Sequence, residues 1–475
     1  MCSDSVTAMT SPRVLLLVLI GCLRVTSSRS QDHCYADNKT PYLNFSSKTA
    51  YEHVYNKEGI PPVPGCKPLQ LWLVCRHGTR YPGYNSFQWF DNLKVIRDGI
   101  VINYIANKTT LCSADIENLK AWQFDVNTTE ANKLTSQGRQ DLYELGQRFR
   151  SYFPELLNSS YSPDKFIFRH TNTNRTAESA KYFAKGVFGS TFDTPLPPAF
   201  SKDRLIQPYK ICDAWQNLTK SKGEQKQFLE TQFISQVIAN VSSRLGLNIS
   251  LDVMLDMYDG CRYQASWNVT ATSPWCAVFS KNDLEVLEYS EDLKYYYKAG
   301  PGRDLNRRLA CPLLRDLISQ FSAVEALPDA DHPAALLYFT HDYMVNILGV
   351  GLGLVNNSFP LTAYNYPQQQ NRQFRTSRTV PFAANLLAVL YRCTQGEPLQ
   401  VRFYHSEHAI DLPGCVGGQC SWTDIKLKFA ATVNASTCTN FSYCTTASST
   451  TFPLASPVLL ISVLVAVVYM CLRNT

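Results

Sequence analysis

One short segment combines residue types and a spacing that could handle phosphate chemistry. The sequence Arg76-His77-Gly78-Thr79-Arg80-Tyr81-Pro82 follows directly on residues 69–75, an apolar run typical of a buried strand. The planar guanidinium of arginine matches phosphate oxygens with two hydrogen bonds, and an imidazole between two arginines could face the phosphorus of a bound ester. Histidine is an adequate nucleophile near neutral pH, since its reference pKa is about 6.5. The segment predicts a local phosphate site rather than a basic surface loop.

The surrounding pattern predicts how this loop is held. Residues 165–169 and 335–340 are two further strand-like runs, each followed by a loop and a helical pattern, and residues 134–150 have helical spacing. Residues 386–391 and 401–404 look like a pair of strands near the end. Recurring strand–loop–helix units predict an α/β fold with a mostly parallel sheet flanked by helices. Sites in such sheets lie at the carboxyl ends of the strands.

The middle of the chain has a different composition. Residues from about 195 to 325 are rich in charged residues, tyrosine and cysteine, with helical patterns such as residues 283–298. We interpret this stretch as an inserted helical subdomain that caps the sheet. Its cluster Tyr295-Tyr296-Tyr297-Lys298 is predicted to pack within a helix, and Lys220 and Lys222 are candidates for the rim of an anion pocket or for a solvated face.

The motif and its distant partners resemble one known family. The segment at residues 76–82 resembles the RHGxRxP signature of the histidine acid phosphatases, the second branch of the histidine phosphatase superfamily. Arg175, at the next strand–helix junction, resembles a further arginine of that family, and His341-Asp342 resembles its His-Asp pair. Residues 361–366, Leu-Thr-Ala-Tyr-Asn-Tyr, resemble the subgroup of multiple inositol polyphosphate phosphatases. That subgroup often places Ala-Glu after the later histidine, whereas this chain has Asp342-Tyr343, so positional specificity stays open.

The resemblance implies phosphoryl transfer in two steps. His77 would attack phosphorus and form a phosphohistidine, and Asp342 would protonate the leaving alkoxide, although Asp342 also suits a helix N-cap. The oxygens of the transferred phosphate would be held by four cationic or polar side chains, Arg76, Arg80, Arg175 and His341. No metal and no other cofactor is implied. A carboxyl group beside phosphate should hold its proton more tightly, which favours mildly acid pH. The implied substrates are inositol hexakisphosphate, lower inositol polyphosphates and 2,3-bisphosphoglycerate.

Both ends of the chain have targeting patterns. Residues 1–30 contain a cation and a short apolar run before small residues, which predicts a signal peptide. Residues 445–475 contain small residues, a spacer and an apolar tail, which predicts either a GPI-anchor signal or a single transmembrane segment. The predicted phosphatase domain spans residues 31–444. We expect the protein in the secretory pathway, at the cell surface through this C-terminal anchor, or outside the cell.

Cysteine usage and glycosylation sequons agree with that compartment. The chain has thirteen Asn-x-Ser/Thr sequons. Thirteen of its 16 cysteines remain when the three in the terminal segments are set aside, and we expect Cys75 to be the buried, unpaired one. The pairs predicted from their proximity in the sequence are Cys261–Cys276, Cys415–Cys420 and Cys438–Cys444.

Composition limits the alternatives. The formal net charge of +6 lies partly in the terminal segments, which argues against a nucleic-acid partner and leaves an anionic small molecule. His405 and His408 follow a strand and would not complete a zinc site. The remaining alternatives are a broad-specificity secreted acid phosphatase of the same fold and a catalytically inactive surface-binding protein. A phosphoglycerate mutase-like transferase is disfavoured by the predicted secretion and disulfides. The sequence does not predict the oligomeric state.

Overall fold

The computed structural model describes residues 34–218, 223–355, 359–415 and 417–445. The predicted signal peptide, the predicted C-terminal anchor from residue 446 on, and both Lys220 and Lys222 lie outside these residues. Within the described ranges, no helix combines the length and apolar character that crossing a membrane requires.

A twisted sheet forms the centre of the fold. Its strands in the described residues are β1 (Cys66–Arg76), β2 (Phe166–His170), β3 (Ala335–Thr340), β4 (Asn385–Cys393), β5 (Leu399–His405), β6 (His408–Ile410) and β7 (Gln419–Ser421). The order is β2-β3-β1-β4-β5-β6, and β7 pairs with β5. The first three strands are parallel, whereas pairing from β1 to β4 and beyond is antiparallel. The predicted α/β fold is confirmed, with its parallel part where the candidate site lies.

Helices cover both faces of this sheet. In chain order they are α1 (Phe87–Ile105), α2 (Ser113–Ala121), α3 (Ser136–Tyr152), α4 (Pro154–Leu157), α5 (Asn174–Phe188), α6 (Asp213–Leu218), α7 (Glu224–Leu229), α8 (Gln232–Leu245), α9 (Leu251–Trp267), α10 (Lys281–Lys298), α11 (Asp304–Leu309), α12 (Cys311–Ala326), α13 (Asp342–Leu352), α14 (Thr376–Thr379), α15 (Trp422–Val433) and α16 (Thr437–Asn440). Short 3₁₀ turns lie between several of these elements, and another, Ser46–Lys48, precedes β1.

Alternation along β1 divides the core into two parts. Leu71 and Leu73 pack on one side with the apolar faces of α3 and α5, while Trp72 and Val74 pack on the other side with the long central helices. Both sides are buried, as expected of a strand inside a helix-covered sheet. This double burial fixes the end of β1, and therefore fixes the direction in which the chain leaves the sheet.

The segment predicted as a helical insertion contains α6 to α12 and no strand among its described residues. Its longest helix, α10, begins with a capping box in which Ser280 and Asp283 each bond the other's backbone N–H. The limits of the insertion as a separate subdomain remain a prediction.

Six disulfides form within the described residues, and Cys75 is free and buried, as predicted. The bridges are Cys34–Cys112, Cys66–Cys393, Cys212–Cys444, Cys261–Cys276, Cys311–Cys438 and Cys415–Cys420. Two of the three local pairs are confirmed, but Cys438–Cys444 is wrong. The reason is that α16 lies against α12, which brings Cys438 to Cys311 and leaves Cys444 to reach Cys212. Such bridges are typical of proteins that fold in the secretory pathway.

Candidate active site

Three parallel strands end side by side and bring their following residues together. Arg76 at the end of β1 pairs with Thr340 of β3, and His170 at the end of β2 pairs with Phe339. His77 and His341 therefore follow neighbouring strands, and their ring centroids lie 5.5 Å apart. The sheet topology thus explains how two residues far apart in the sequence share one site.

The loop after β1 is held by a very close backbone contact. A Cβ atom at Gly78 would lie 2.3 Å from the carbonyl oxygen of Gly138 in α3, so only glycine fits there. The Gly78 N–H donates to Ser179 Oγ of α5 at 3.1 Å, and Thr79 Oγ1 donates to Asp141 at 3.0 Å. Two helices therefore hold the loop that carries His77.

The site contains more positive charge than its neighbours balance. Arg76 is fully buried, and its Nη1 donates to the carbonyl oxygens of Ser47 and Val380, both at 2.7 Å. Its Nε and Nη2 have no hydrogen-bond partner among the described residues, and the same is true of Arg175 Nε. Arg80 donates to its neighbour's carbonyl at 2.7 Å and lies over the Tyr263 ring. Buried N–H groups of this kind are costly unless an anion meets them.

Both histidines are held neutral. Burial, reinforced by the charges of Arg175 and Arg76, holds the pKa of His77 well below its usual value. Burial and the Arg175 charge likewise lower the pKa of His341 to about 3. The Nδ1 atom of His77 lies 2.9 Å from the carbonyl oxygen of Gly78. A carbonyl oxygen can only accept, so Nδ1 carries the proton and Nε2 keeps a free lone pair.

His341 is oriented in a comparable way. Its Nδ1 lies 3.3 Å from Arg175 Nη2, and its Nε2 lies 2.9 Å from Thr171 Oγ1. Since a guanidinium can only donate, Nδ1 accepts and Nε2–H donates to Thr171. The arrangement fixes both His341 and Arg175 beside His77.

Asp342 opens α13 and is ionised in the site as it stands. The N-cap position is occupied by His341, so the alternative interpretation of Asp342 as an N-cap is wrong. Its Oδ2 accepts from the Tyr295 hydroxyl at 2.7 Å and lies 3.5 Å from Arg76 Nη2. Burial acts to raise the pKa of Asp342, but the Arg76 charge and the Tyr295 hydrogen bond outweigh it and hold the pKa below its usual value. The prediction that the Asp342 carboxyl holds its proton more tightly applies to the site with phosphate bound.

Three residues of this site are missing from the sequence prediction. Ser47 and Lys48 lie 30 and 29 positions before His77 in the short 3₁₀ turn, with no motif to mark them. Tyr295 was predicted only to pack within a helix. It does pack against Tyr343, but its hydroxyl also reaches Asp342. The periodic burial of α10 could indicate a core-facing side chain there, but not its polar partner.

The two histidines near residue 405 form hydrogen bonds with backbone carbonyl oxygens. His405 Nε2 lies 2.9 Å from the Thr379 carbonyl, and His408 Nε2 lies 2.9 Å from the Val54 carbonyl. The intervening Glu407 is buried and accepts two hydrogen bonds from Arg148, each at 2.9 Å. These bonds hold β5 and β6 against their surroundings, and they go to Thr379, Val54 and Arg148 rather than to a predicted site residue.

The fold and the site define a class of protein, and comparison identifies it. The chain belongs to the histidine phosphatase superfamily (branch 2), whose family model matches residues 69–406. It is 34% identical to multiple inositol polyphosphate phosphatase 1 of Drosophila melanogaster over 89% of this chain and 92% of that protein. It is 27% identical to the Homo sapiens protein of the same name, over 79% of this chain and 83% of that one.

Solved structures share the fold. The phytase from D. castellii matches with a TM-score of 0.63 at 20% identity, covering 85% of this chain and 90% of that one. The Bifidobacterium longum multiple inositol polyphosphate phosphatase in complex with inositol hexasulfate matches with a TM-score of 0.60 at 15% identity, covering 82% and 98%. At these identities the likeness concerns the architecture.

Proposed function

We propose that this protein is a phosphomonoesterase that releases phosphate from inositol polyphosphates through a phosphohistidine at His77. The observation that carries the proposal is the buried surplus of positive charge around the free Nε2 of His77. The N–H groups of Arg76 and Arg175 there lack a hydrogen-bond partner among the described residues. A phosphate monoester supplies the missing negative charge and the missing acceptors. The names of the relatives support inositol polyphosphates as the substrate class.

The first step forms the phosphoenzyme. His77 Nε2 attacks phosphorus while the bond to the leaving oxygen breaks, and Asp342 gives that oxygen a proton. The non-bridging oxygens are held by Arg76, Arg80, Arg175 and His341, where the charge of the transition state is spread. For this step Asp342 must carry a proton, which the negative charge of bound substrate favours because it opposes ionisation of a neighbouring carboxyl.

The second step releases phosphate. Water attacks the phosphohistidine, and Asp342 now accepts a proton from that water. The N–P bond breaks, inorganic phosphate leaves, and both side chains return to their starting state. The Gly78 carbonyl keeps the imidazole in the required tautomer throughout, since its bond to Nδ1 is independent of Nε2.

The test is phosphate release by the full chain produced in a secretory host. Inositol hexakisphosphate and p-nitrophenyl phosphate are compared for the unmodified protein, His77→Ala and the distant control His332→Ala. Turnover of the hexakisphosphate that only His77→Ala abolishes supports the proposal. Cleavage of the aryl ester alone would favour a broad-specificity acid phosphatase, and the absence of both activities would favour a binding protein.

For the location we propose attachment to the cell surface through residues 445–475, by a GPI anchor or by a single span. The support is the sequence pattern of that segment. Treatment of intact cells with a phosphatidylinositol-specific phospholipase C separates the two forms of attachment, because only a GPI-anchored protein is released. Protein found wholly in the medium without treatment would contradict both.

A further inference from the structure

A chain of hydrogen bonds runs from the residues ahead of β1 to Asp342. Lys48 Nζ donates to Ser47 Oγ at 3.1 Å, and the Tyr295 hydroxyl lies 2.9 Å from the same Ser47 oxygen. That hydroxyl also lies 2.7 Å from Asp342 Oδ2. Three segments that are distant in the sequence, the 3₁₀ turn, α10 and α13, are therefore connected through polar side chains at one point.

The chain has a definite direction. A phenol carries one proton, and a carboxylate can only accept, so Tyr295 donates to Asp342 and accepts a hydrogen bond from the Ser47 hydroxyl. Ser47 Oγ in turn accepts from the ammonium of Lys48. Each member donates toward Asp342, which favours the ionised carboxyl and fixes its Oδ2. The Oδ1 atom is fixed separately by the backbone N–H of Tyr343 at 2.9 Å.

Lys48 is an unusual origin for such a chain. It is 92% buried, and among the described residues no carboxylate oxygen lies within 4.0 Å of its Nζ. Its ammonium lies 5.4 Å from the centre of the Tyr263 ring, which also faces Arg80. Burial and the charges of Arg262 and Arg80 lower the pKa of Lys48, and the more distant Glu291 opposes them, so keeping its ammonium here costs stability. We take that cost as a sign that Lys48 serves the site.

We propose that Tyr295, Ser47 and Lys48 are positioning residues for Asp342, and that they direct its carboxyl to the leaving oxygen and set when it ionises. The proposal rests on the proposed function in taking Asp342 as the proton donor. It adds that proton donation by Asp342 depends on the segment before β1 and on α10.

The first test separates positioning from general stability by the leaving group. A nitrophenolate leaves without a proton, whereas the alkoxide of glycerol 2-phosphate needs one from Asp342. Tyr295→Phe should lower kcat/KM for glycerol 2-phosphate about tenfold, a part of the usual contribution of a general acid, and change that for p-nitrophenyl phosphate less than twofold. The matched control is Tyr296→Phe on the same helix, whose ring packs against Phe374. Equal losses on both esters would overturn the proposal.

The second test is the pH profile. Asp342 faces titratable or charged groups from every element around it: Arg76, Arg80, Arg175, His341, Lys48, Tyr209, Tyr295, Lys298 and Tyr343. Removing the Lys48 charge or the Tyr295 hydroxyl removes a contribution that lowers the pKa of Asp342. The alkaline limb of kcat/KM for glycerol 2-phosphate should therefore move to higher pH in Lys48→Met and Tyr295→Phe. Lys48→Arg and the exposed Lys281→Met should leave that limb in place.

Two other kinds of failure, a variant that does not fold and a wrong substrate class, can be distinguished from failure of this proposal. Should Tyr295→Phe not be secreted, Ser47→Ala interrupts the same chain and keeps the backbone carbonyl that Arg76 uses. Both esters report on Asp342 whether or not inositol hexakisphosphate is hydrolysed, so the proposed substrate class can fail while this proposal stands. An unmoved alkaline limb in Lys48→Met, with a normal leaving-group ratio in Ser47→Ala, would refute the proposal.

Discussion

Two buried clusters of charge occupy neighbouring parts of this molecule and differ in balance. In the candidate site, buried cations outnumber the single carboxylate of Asp342, and the Nε atoms of Arg76 and Arg175 have no hydrogen-bond partner among the described residues. In the second cluster, which we call the balanced cluster, two carboxylates of α10 meet two arginines. Its members are Tyr42, Glu288, Asp292, Arg372, Arg375, Thr376 and Ser377. Both clusters use α10 and the segment ahead of β1.

The difference indicates that the balanced cluster contributes to stability and that the candidate site contributes to anion binding. Arg372 lies 2.6 Å from Asp292, which also accepts from the Thr376 N–H at 2.8 Å, so the buried charges are compensated within the protein. A compensated cluster needs no ligand and connects three segments of the chain. An uncompensated cluster of buried cations stays costly until an anion enters. We therefore expect substitutions in the two clusters to have opposite consequences, and the following experiments test that expectation.

The largest effect is expected at His77. His77→Ala should reduce turnover of any phosphate monoester by a factor of about 10⁴ or more, because the covalent step is lost. The variant should remain folded, as measured by circular dichroism. A rapid alkaline quench, which preserves the acid-labile N–P bond, should trap a phosphoenzyme from radiolabelled substrate only in the unmodified protein. Residual turnover above about 1% would contradict the assignment.

The next effect concerns the balanced cluster and should appear in stability. Arg372→Met leaves Glu288 and Asp292 buried without their main partner, which should lower the free energy of unfolding by about 3–5 kcal/mol. Urea denaturation with disulfides intact measures this. Arg378→Met, an exposed arginine of the same segment, is the control and should change it by less than about 0.5 kcal/mol. A loss of activity without a loss of stability in Arg372→Met would contradict the comparison.

An anion should stabilise the folded protein only by binding in the candidate site. Inorganic phosphate at about 100 times its Kd should raise the free energy of unfolding by about 2.7 kcal/mol, because it binds only the folded protein. Arg175→Met should lose most of this gain, measured as a shift in Tm, whereas Arg378→Met should keep it. An undiminished gain in Arg175→Met would mean that the anion binds elsewhere.

The smallest effect, taken per pH unit, concerns the dependence of stability on pH. The pKa of His341 is lowered to about 3 in the folded protein, so the unfolded chain takes up its proton first as pH falls. The contribution of His341 to the free energy of unfolding is therefore fully present above about pH 6.5. It declines toward pH 3 by about 1.4 kcal/mol per pH unit. His341→Gln should reduce the slope of the free energy of unfolding between pH 4 and 6 by that amount. His332→Gln should leave the slope unchanged; an equal slope in both variants would refute the assignment.

The site residues that follow a strand, or that begin the next helix, could be predicted from the sequence. The predicted run at residues 69–75 lies within β1. The residues after it come together with Arg175 and His341 because parallel strands align their ends. Ser47 and Tyr295 could not be found in this way. Their polar contacts depend on how a 3₁₀ turn and a helix pack against the sheet, which no local pattern encodes. The Cys438–Cys444 error has the same origin, since helix packing selects the partners.

The position of β1 in the sheet has a consequence for how the chain is made. Leu71 pairs with Ala335 on one side and with Val389 on the other, and both partners are synthesised more than 250 residues later. At ribosomal speed, an apolar strand with His77 at its end waits on the order of 10 to 60 s before either neighbour exists. A chain that stops before residue 385 would contain all six predicted site residues and still expose one edge of that strand to aggregation. Translation must therefore pass residue 393, the end of β4, before β1 can pair on both sides.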